Sequence, residues 1–343
     1  MFTSYNADTA DDVWQKIATD FRRGDGVTQQ ESRAGRVREM MHVGLSIQSP
    51  QHRWVISREP PLNPAFAIAE VVWIVNGRND AAFLNFFNSS LPKFAGTGHV
   101  YDGAYGYRLR HHLGFDQLER AFAALLKRPM TRQVVLQIWD GRVDFPGAVG
   151  EETSPDVPCN VVSLLKVRDG RLEWMQVLRS NDFVRGQPYN FVQFTTLQEI
   201  IAGWLGLASG AYHQVTDSLH VYEGSWKELG ASLPIRCPSG TSSLALSYTD
   251  STSAFRELAR WVERIMHLKS PAASLCAAAE NSLLPPAYKD FLFVLLCEGL
   301  RRHGCLELAS EQMAKCGDPV YRLLLDRWFA RVQPRGRREN CAG

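Results

Sequence analysis

Residues 160–178 constrain the fold more than any other stretch of this chain. Two apolar runs, 160–167 and 172–178, flank Asp169-Gly170. Asp-Gly suits the positive φ angles of a two-residue turn, so the segment predicts a β-hairpin. One face of such a hairpin must be covered, and a strong helical pattern over 191–204, closed by Gly206, follows it. Upstream, helices are expected at 12–23 (Val13, Ile17, Phe21), at 65–76, which is apolar on nearly every side and ends at Gly77, and at 115–127, stopped by Pro129. Strands are expected at 52–57 and 133–139 and a strand end at 219–222, with loops at 24–35 and 141–156. After residue 249 the apolar spacing becomes helical over 254–268, 288–302 and 320–332. The pattern implies an α+β body with an all-helical tail.

Composition bounds the function. Lys plus Arg number 38 and Asp plus Glu 36, so no global charge argues for nucleic acid or a membrane. An anion site must then be a local arginine cluster, and the basic run Arg335–Arg338 reads as a solvated tail. The first twenty residues carry Asp8, Asp11 and Asp12 and no apolar core of a signal peptide. Of the seven cysteines, six fall in the last 107 residues, without CxxC spacing. That usage suits reduced thiols in a cytoplasmic protein and neither a disulfide framework nor a metal site.

The remaining cysteine, Cys159, opens a constellation. It lies in Asp156-Val157-Pro158-Cys159-Asn160, and Arg179-Ser180-Asn181-Asp182 begins twenty residues later. Gly186-Gln187-Pro188-Tyr189-Asn190 and His220-Val221-Tyr222 follow. A thiolate is a suitable nucleophile for a soft, electron-poor carbon such as C6 of a pyrimidine, and Arg179 would favour it if the hairpin brings the two together. Arg179 and Ser180 offer an N–H fork and a hydroxyl that suit a phosphate. Asn190 has an amide that can read a base edge, although an isolated asparagine before a helix is more often its N-cap. Glu70, inside an apolar run, is costly unless bonded or functional.

In this order the residues resemble the thymidylate synthase family, over about residues 10–250 and most densely from Arg179 to Tyr222. The resemblance implies a large mixed sheet flanked by helices, with residues 251–343 as a helical extension outside it. It implies Cys159 as nucleophile, Glu70 and Tyr105 as proton- and water-managing groups, and Arg179 and Ser180 at a 5′-phosphate. Arg33, with Arg36 as the fallback, would join them from an N-terminal loop, and Arg132 would come from the partner of a homodimer. Asn190 would take the pyrimidine edge, His220 and Tyr222 the sugar, and Asp182 and Gly186 the folate side. The cosubstrate would be 5,10-methylenetetrahydrofolate, with no metal.

Departures from the family decide the branch. Asn160 stands where thymidylate synthases have histidine beside the nucleophile, which suggests a different substituent at position 4 of the base. One of two paired arginines is missing at Thr131-Arg132-Gln133, residues 91–103 contain no tryptophan, and the chain lacks the family's short apolar closing terminus. These point to water trapping the transferred methylene, and so to the cytidylate 5-hydroxymethylase branch, including the ribonucleotide type that serves nucleoside-antibiotic pathways. CMP is the expected substrate. A dUMP C5-methylase is the alternative, and a non-catalytic paralogue that binds nucleotide or RNA is the second.

Overall fold

The computed structural model of the chain describes residues 2–32, 35–147, 154, 156–230 and 242–332. Its centre is a seven-stranded mixed sheet built from β1 (Thr3–Ala7), β2 (Thr28–Ser32), β3 (Gly35–Ile47), β4 (Val135–Gln137), β5 (Asn160–Arg168), β6 (Arg171–Asp182) and β7 (Ala208–Tyr222). The order across the sheet is β1-β3-β7-β6-β5-β4, with β2 paired to β3. β5 and β6 form the expected antiparallel hairpin, and Asp169 and Gly170 turn it at φ 48° and 70°. The chain then crosses over the sheet and returns as β7, parallel to β6, as a crossover carrying a helix requires.

Helices α1 (Ala10–Arg23), α2 (Pro64–Val75), α3 (Ala81–Asn85), α4 (Pro92–Ala95), α5 (Tyr105–Tyr107), α6 (Gln117–Lys127) and α7 (Gln187–Trp204) surround this sheet. The tail supplies α8 (Tyr248–Met266), α9 (Ala272–Glu280), α10 (Pro286–Arg302), α11 (Leu306–Ala314) and α12 (Pro319–Val332). α2 starts at Asn63, whose side chain accepts the Phe66 N–H, and is apolar all round because α7, α8, α10 and α12 enclose it. Glu70 is the one ionisable residue of that helix. The architecture is the expected α+β arrangement with an all-helical tail. No helix among the described residues is long and apolar enough to cross a membrane.

Three segments differ from expectation. Residues 28–32 form a strand, not loop; their Thr-Gln-Gln-Glu-Ser sequence is exposed throughout and shows no apolar alternation. Residues 52–57 are buried at Trp54, Val55 and Ile56 but join no ladder. The Arg327 side chain of α12 donates to the carbonyls of Ile56 and Arg58, doing what a neighbouring strand would do. The expected strand end at 219–222 is the last part of the fifteen-residue β7, whose alternating polar residues Gln214 and Thr216 hide their burial.

Candidate active site

A cavity of about 1020 Å³ opens where β6 ends, α7 begins and α2 passes beneath. Ten of the residues singled out in the sequence line it. Cys159, Glu70 and Tyr105 stand beside Arg179, Ser180, Asn190, His220 and Tyr222, with Asp182 and Gly186 at the turn into α7.

The hairpin joins Cys159 to Arg179. The Arg179 N–H donates to Cys159 O at 3.0 Å. The Arg179 guanidinium donates from Nε to Pro158 O and from Nη2 to Val157 O, each at 3.0 Å. Carbonyls hold the fork without cancelling its charge, and among the described residues no carboxylate forms a salt bridge with it. The Ser180 hydroxyl is 3.4 Å from His220 Nδ1, and burial pushes that imidazole below its ordinary range, towards the neutral form. The His220 and Tyr222 rings meet edge to face at 5.2 Å, so they present adjoining polar tips to the cavity.

α7 begins at Gln187, so Asn190 is not its N-cap. Its N–H already donates to Gly186 O at 3.0 Å, and its side chain lines the cavity. Asn190 Nδ2 donates to Gln193 Oε1 at 3.0 Å, and Gln193 also hydrogen-bonds Glu70. Burial pushes the Glu70 carboxyl up to about 8 despite that bond, and its Oε2 has no partner of its own. The Tyr105 phenol is pushed well above its ordinary range, first by burial and then by Cys159, while the Asn160 amide pulls it down. Asp182 Oδ1 accepts the N–H groups of Val184 and Arg185 at 2.9 Å, which shapes the turn. A Cβ at Gly186 would lie 2.7 Å from Asn181 Oδ1, so a side chain has no room there.

Among the described residues, Asn160 and Arg132 do not line the cavity. Asn160 is fully buried and does not line the cavity; its Oδ1 accepts from Gln176 Nε2 at 3.0 Å. Its side chain is therefore turned away from the cavity. Arg132 is exposed on the turn before β4, away from the cavity of its own chain. Arg33 lies outside the described residues, as does the basic run Arg335–Arg338. Arg36, the fallback, pairs with Glu31 and Glu223.

The sequence reading missed several lining residues. Gln193 was within reach, being three residues from Asn190 on one helix face. Trp73 and Trp139 line the cavity, so the lack of tryptophan in 91–103 does not deprive it of indole walls. The tail reaches the cavity through Arg331 of α12, whose Nη1 donates to Pro61 O at 3.3 Å. Among the described residues no group of three metal-ligating side chains forms.

Comparison with known proteins agrees with this arrangement. A family model described as thymidylate synthase matches residues 27–262. A deoxyuridylate hydroxymethyltransferase of Bacillus phage SP01 is 33% identical over 217 residues, covering 60% of this chain and 55% of the phage protein. One of Pseudomonas phage M6 is 35% identical over 176 residues, covering 51% and 49%. A putative thymidylate synthase of Methanothermobacter marburgensis is 28% identical over 219 residues, covering 63% and 91%. The chain thus spans about half the length of the phage relatives it matches. The match over residues 27–262 takes in six of the seven strands (β2 to β7), α2 and every lining residue from Glu70 to Tyr222, and on that ground the chain belongs to the thymidylate synthase family.

Proposed function

We propose that this protein transfers a hydroxymethyl group to C5 of a pyrimidine nucleoside monophosphate, with 5,10-methylenetetrahydrofolate as the one-carbon donor. The observation that carries the reading is one cavity in which a thiol, an uncompensated arginine, a base-reading amide and a raised carboxyl converge. Cys159 Sγ bonds to C6 and makes C5 nucleophilic. C5 takes the one-carbon unit, the folate nitrogen leaves with its electron pair, and the C5 proton departs. Water then adds to the exocyclic methylene and the thiolate is expelled from C6. Glu70, protonated near neutral pH, is the group suited to exchanging these protons. Arg179 and Ser180 hold the phosphate, Asn190 the base edge, and His220 and Tyr222 the sugar. The indole and phenyl faces of Trp73, Trp139 and Phe66, with Asp182 and Gly186, fit a flat pterin.

Two bases fit the Asn190 amide. Cytidylate is the base suggested by the lack of a protonatable residue after Cys159, although Asn160 itself is buried behind the cavity wall and gives it no direct support. Uridylate is favoured by the names of the phage relatives, which also support hydroxymethyl over methyl. A homodimer is part of the reading. The sheet face away from α7 leaves Val162, Val177 and Val215 half-buried and Met175 38% exposed, an apolar surface that a second copy would cover. Arg132 would then reach the partner's cavity.

The test is to incubate the protein with methylenetetrahydrofolate and, separately, CMP, dCMP, UMP and dUMP. The expected product gains a hydroxymethyl group with oxygen from labelled water, and no dihydrofolate absorbance appears. A methyl product with stoichiometric dihydrofolate would make the protein a methylase. No product from any of the four, with binding intact, would favour the non-catalytic reading.

A further inference from the structure

Behind the cavity wall runs a line of polar side chains that the reaction above does not use. Ser163, Trp174, Gln176 and Asn160 are all fully buried in the β5–β6 hairpin. Trp174 and Gln176 share the inner face of β6, and Ser163 is the register partner of Gln176 on β5. A register shift between Asn160 and Val162 lets Asn160 join this face out of the normal alternation.

The direction of each hydrogen bond is fixed by chemistry. The Trp174 indole can only donate, and its Nε1 is 3.1 Å from Gln176 Oε1. Ser163 Oγ donates to the same oxygen at 2.6 Å. Gln176 must therefore point its nitrogen the other way, where Nε2 donates to Asn160 Oδ1 at 3.0 Å. With its oxygen taken, Asn160 turns Nδ2 outward, and that buried donor has no protein acceptor of good geometry. The Tyr105 phenol lies beside it, close enough for the amide to stabilise the phenol oxygen. A phenol that accepts from Asn160 has its own proton left to donate, and Tyr105 lines the cavity. From Trp174 and Ser163 through Gln176 to Asn160, each bond donates in the same sense, from the sheet interior towards Tyr105.

We propose that Trp174 and Gln176 are positioning residues that fix the polarity of this relay, so that the site selects a pyrimidine whose position 4 accepts a hydrogen bond. A 4-oxo group meets a donor, whereas a 4-amino group would set donor against donor. The inference rests on the proposed placement of the base between Cys159 and Asn190. No member of the relay other than Tyr105 ionises, so its polarity does not reverse with pH.

The test compares dUMP with dCMP on the full chain, both as kcat/KM and as equilibrium Kd. Wild type is expected to favour dUMP. Gln176→Met removes the fixed link and lets the Asn160 amide turn, so the preference should fall about tenfold or more. Trp174→Phe frees the Gln176 amide without removing it, and the preference should fall less, in the same direction. A merely structural role would lower both bases equally and leave the ratio unchanged, which overturns the inference, as would a wild type that binds dCMP better. If wild type turns over neither nucleotide yet binds dUMP better, and Gln176→Met erases that difference, the relay stands while the proposed reaction fails.

Discussion

Arg179 is bonded to the nucleophile strand at three points, through its backbone to Cys159 O and through its side chain to Pro158 O and Val157 O. The proposed phosphate site and the proposed nucleophile are thus parts of one hydrogen-bonded unit. Arg179→Ala is expected to weaken nucleotide binding by ~1.5–3 kcal/mol, the scale of a charge-assisted hydrogen bond, and to weaken nucleoside binding much less. Arg179→Lys keeps the charge but cannot span two carbonyls and a phosphate, so it should recover affinity only in part. Equal losses for nucleotide and nucleoside in equilibrium titrations would place the phosphate elsewhere.

Cys159→Ala should abolish turnover while nucleotide affinity stays within a few fold, because Arg179 keeps its backbone partners when only the thiol is removed. Cys159→Ser should retain at most a trace, since a hydroxyl lacks the thiol's ready ionisation and softness. Mass spectrometry of the wild type with a mechanism-trapping 5-fluoropyrimidine nucleotide should find the adduct on the peptide carrying Cys159. Substantial turnover by the alanine variant would refute the covalent route.

What could be read from the sequence were features that are local in the chain. The Asp169-Gly170 turn, the enclosed α2 and the order Cys159, Arg179, Asn190, His220 each sit within one segment, and ten of the selected residues meet in one cavity. β7 was hard to see because its inward residues Gln214 and Thr216 are polar and are satisfied by buried partners, one of them on α7. Gln214 bonds Gln187 and Thr216, and Gln176 bonds Asn160. Such glutamines look like surface residues until the partner strand is known. Asn160 was given a direct role at the base because sequence shows adjacency to Cys159 but not the bulge that turns it inward. Arg331 lies about 170 residues from the nucleophile, and no pattern in the sequence ties α12 to the cavity.

Glu70 should give the activity a distinctive pH dependence. Its carboxyl is raised by burial from 4.5 to about 8, so the folded protein binds the proton more tightly than the unfolded chain. That contribution to stability is complete below pH 4.5 and is lost as pH rises through about 8. In a urea series, Glu70→Gln should remove this decline between pH 4.5 and about 8. The same substitution should lower kcat by about a hundredfold, as expected for loss of a general acid–base group, and erase the limb of the kcat/KM profile near pH 8. A variant that keeps the limb would assign it to another group.

Gly186 tests the packing at the head of α7. Its Cα faces Asn181 Oδ1 and Asp182 O so closely that a methyl group would sit 2.7 and 3.2 Å from them. Gly186→Ala should cost about 1–3 kcal/mol of stability as the overpacked turn shifts. Asn190 accompanies that turn through its bond to Gly186 O, so nucleotide affinity should fall as well. Unchanged urea midpoints would show that Asn181 can move aside freely.

Arg132 carries the prediction about assembly. It is exposed on the turn before β4 and does not reach its own cavity, which suits a residue offered to a partner's phosphate site. Arg132→Ala alone should weaken nucleotide binding on the same scale as Arg179→Ala, and the loss should be smaller for the nucleoside. Mixing Arg132→Ala subunits with Cys159→Ala subunits separates the two contributions. A heterodimer has one site with an intact Cys159 that receives a wild-type Arg132 from its partner, and one site that lacks both. Random exchange of equal amounts makes half the molecules heterodimers, each with one working site, so about a quarter of wild-type activity should return. If mass spectrometry shows heterodimers and activity does not rise above that of the unmixed variants, Arg132 serves its own chain or none.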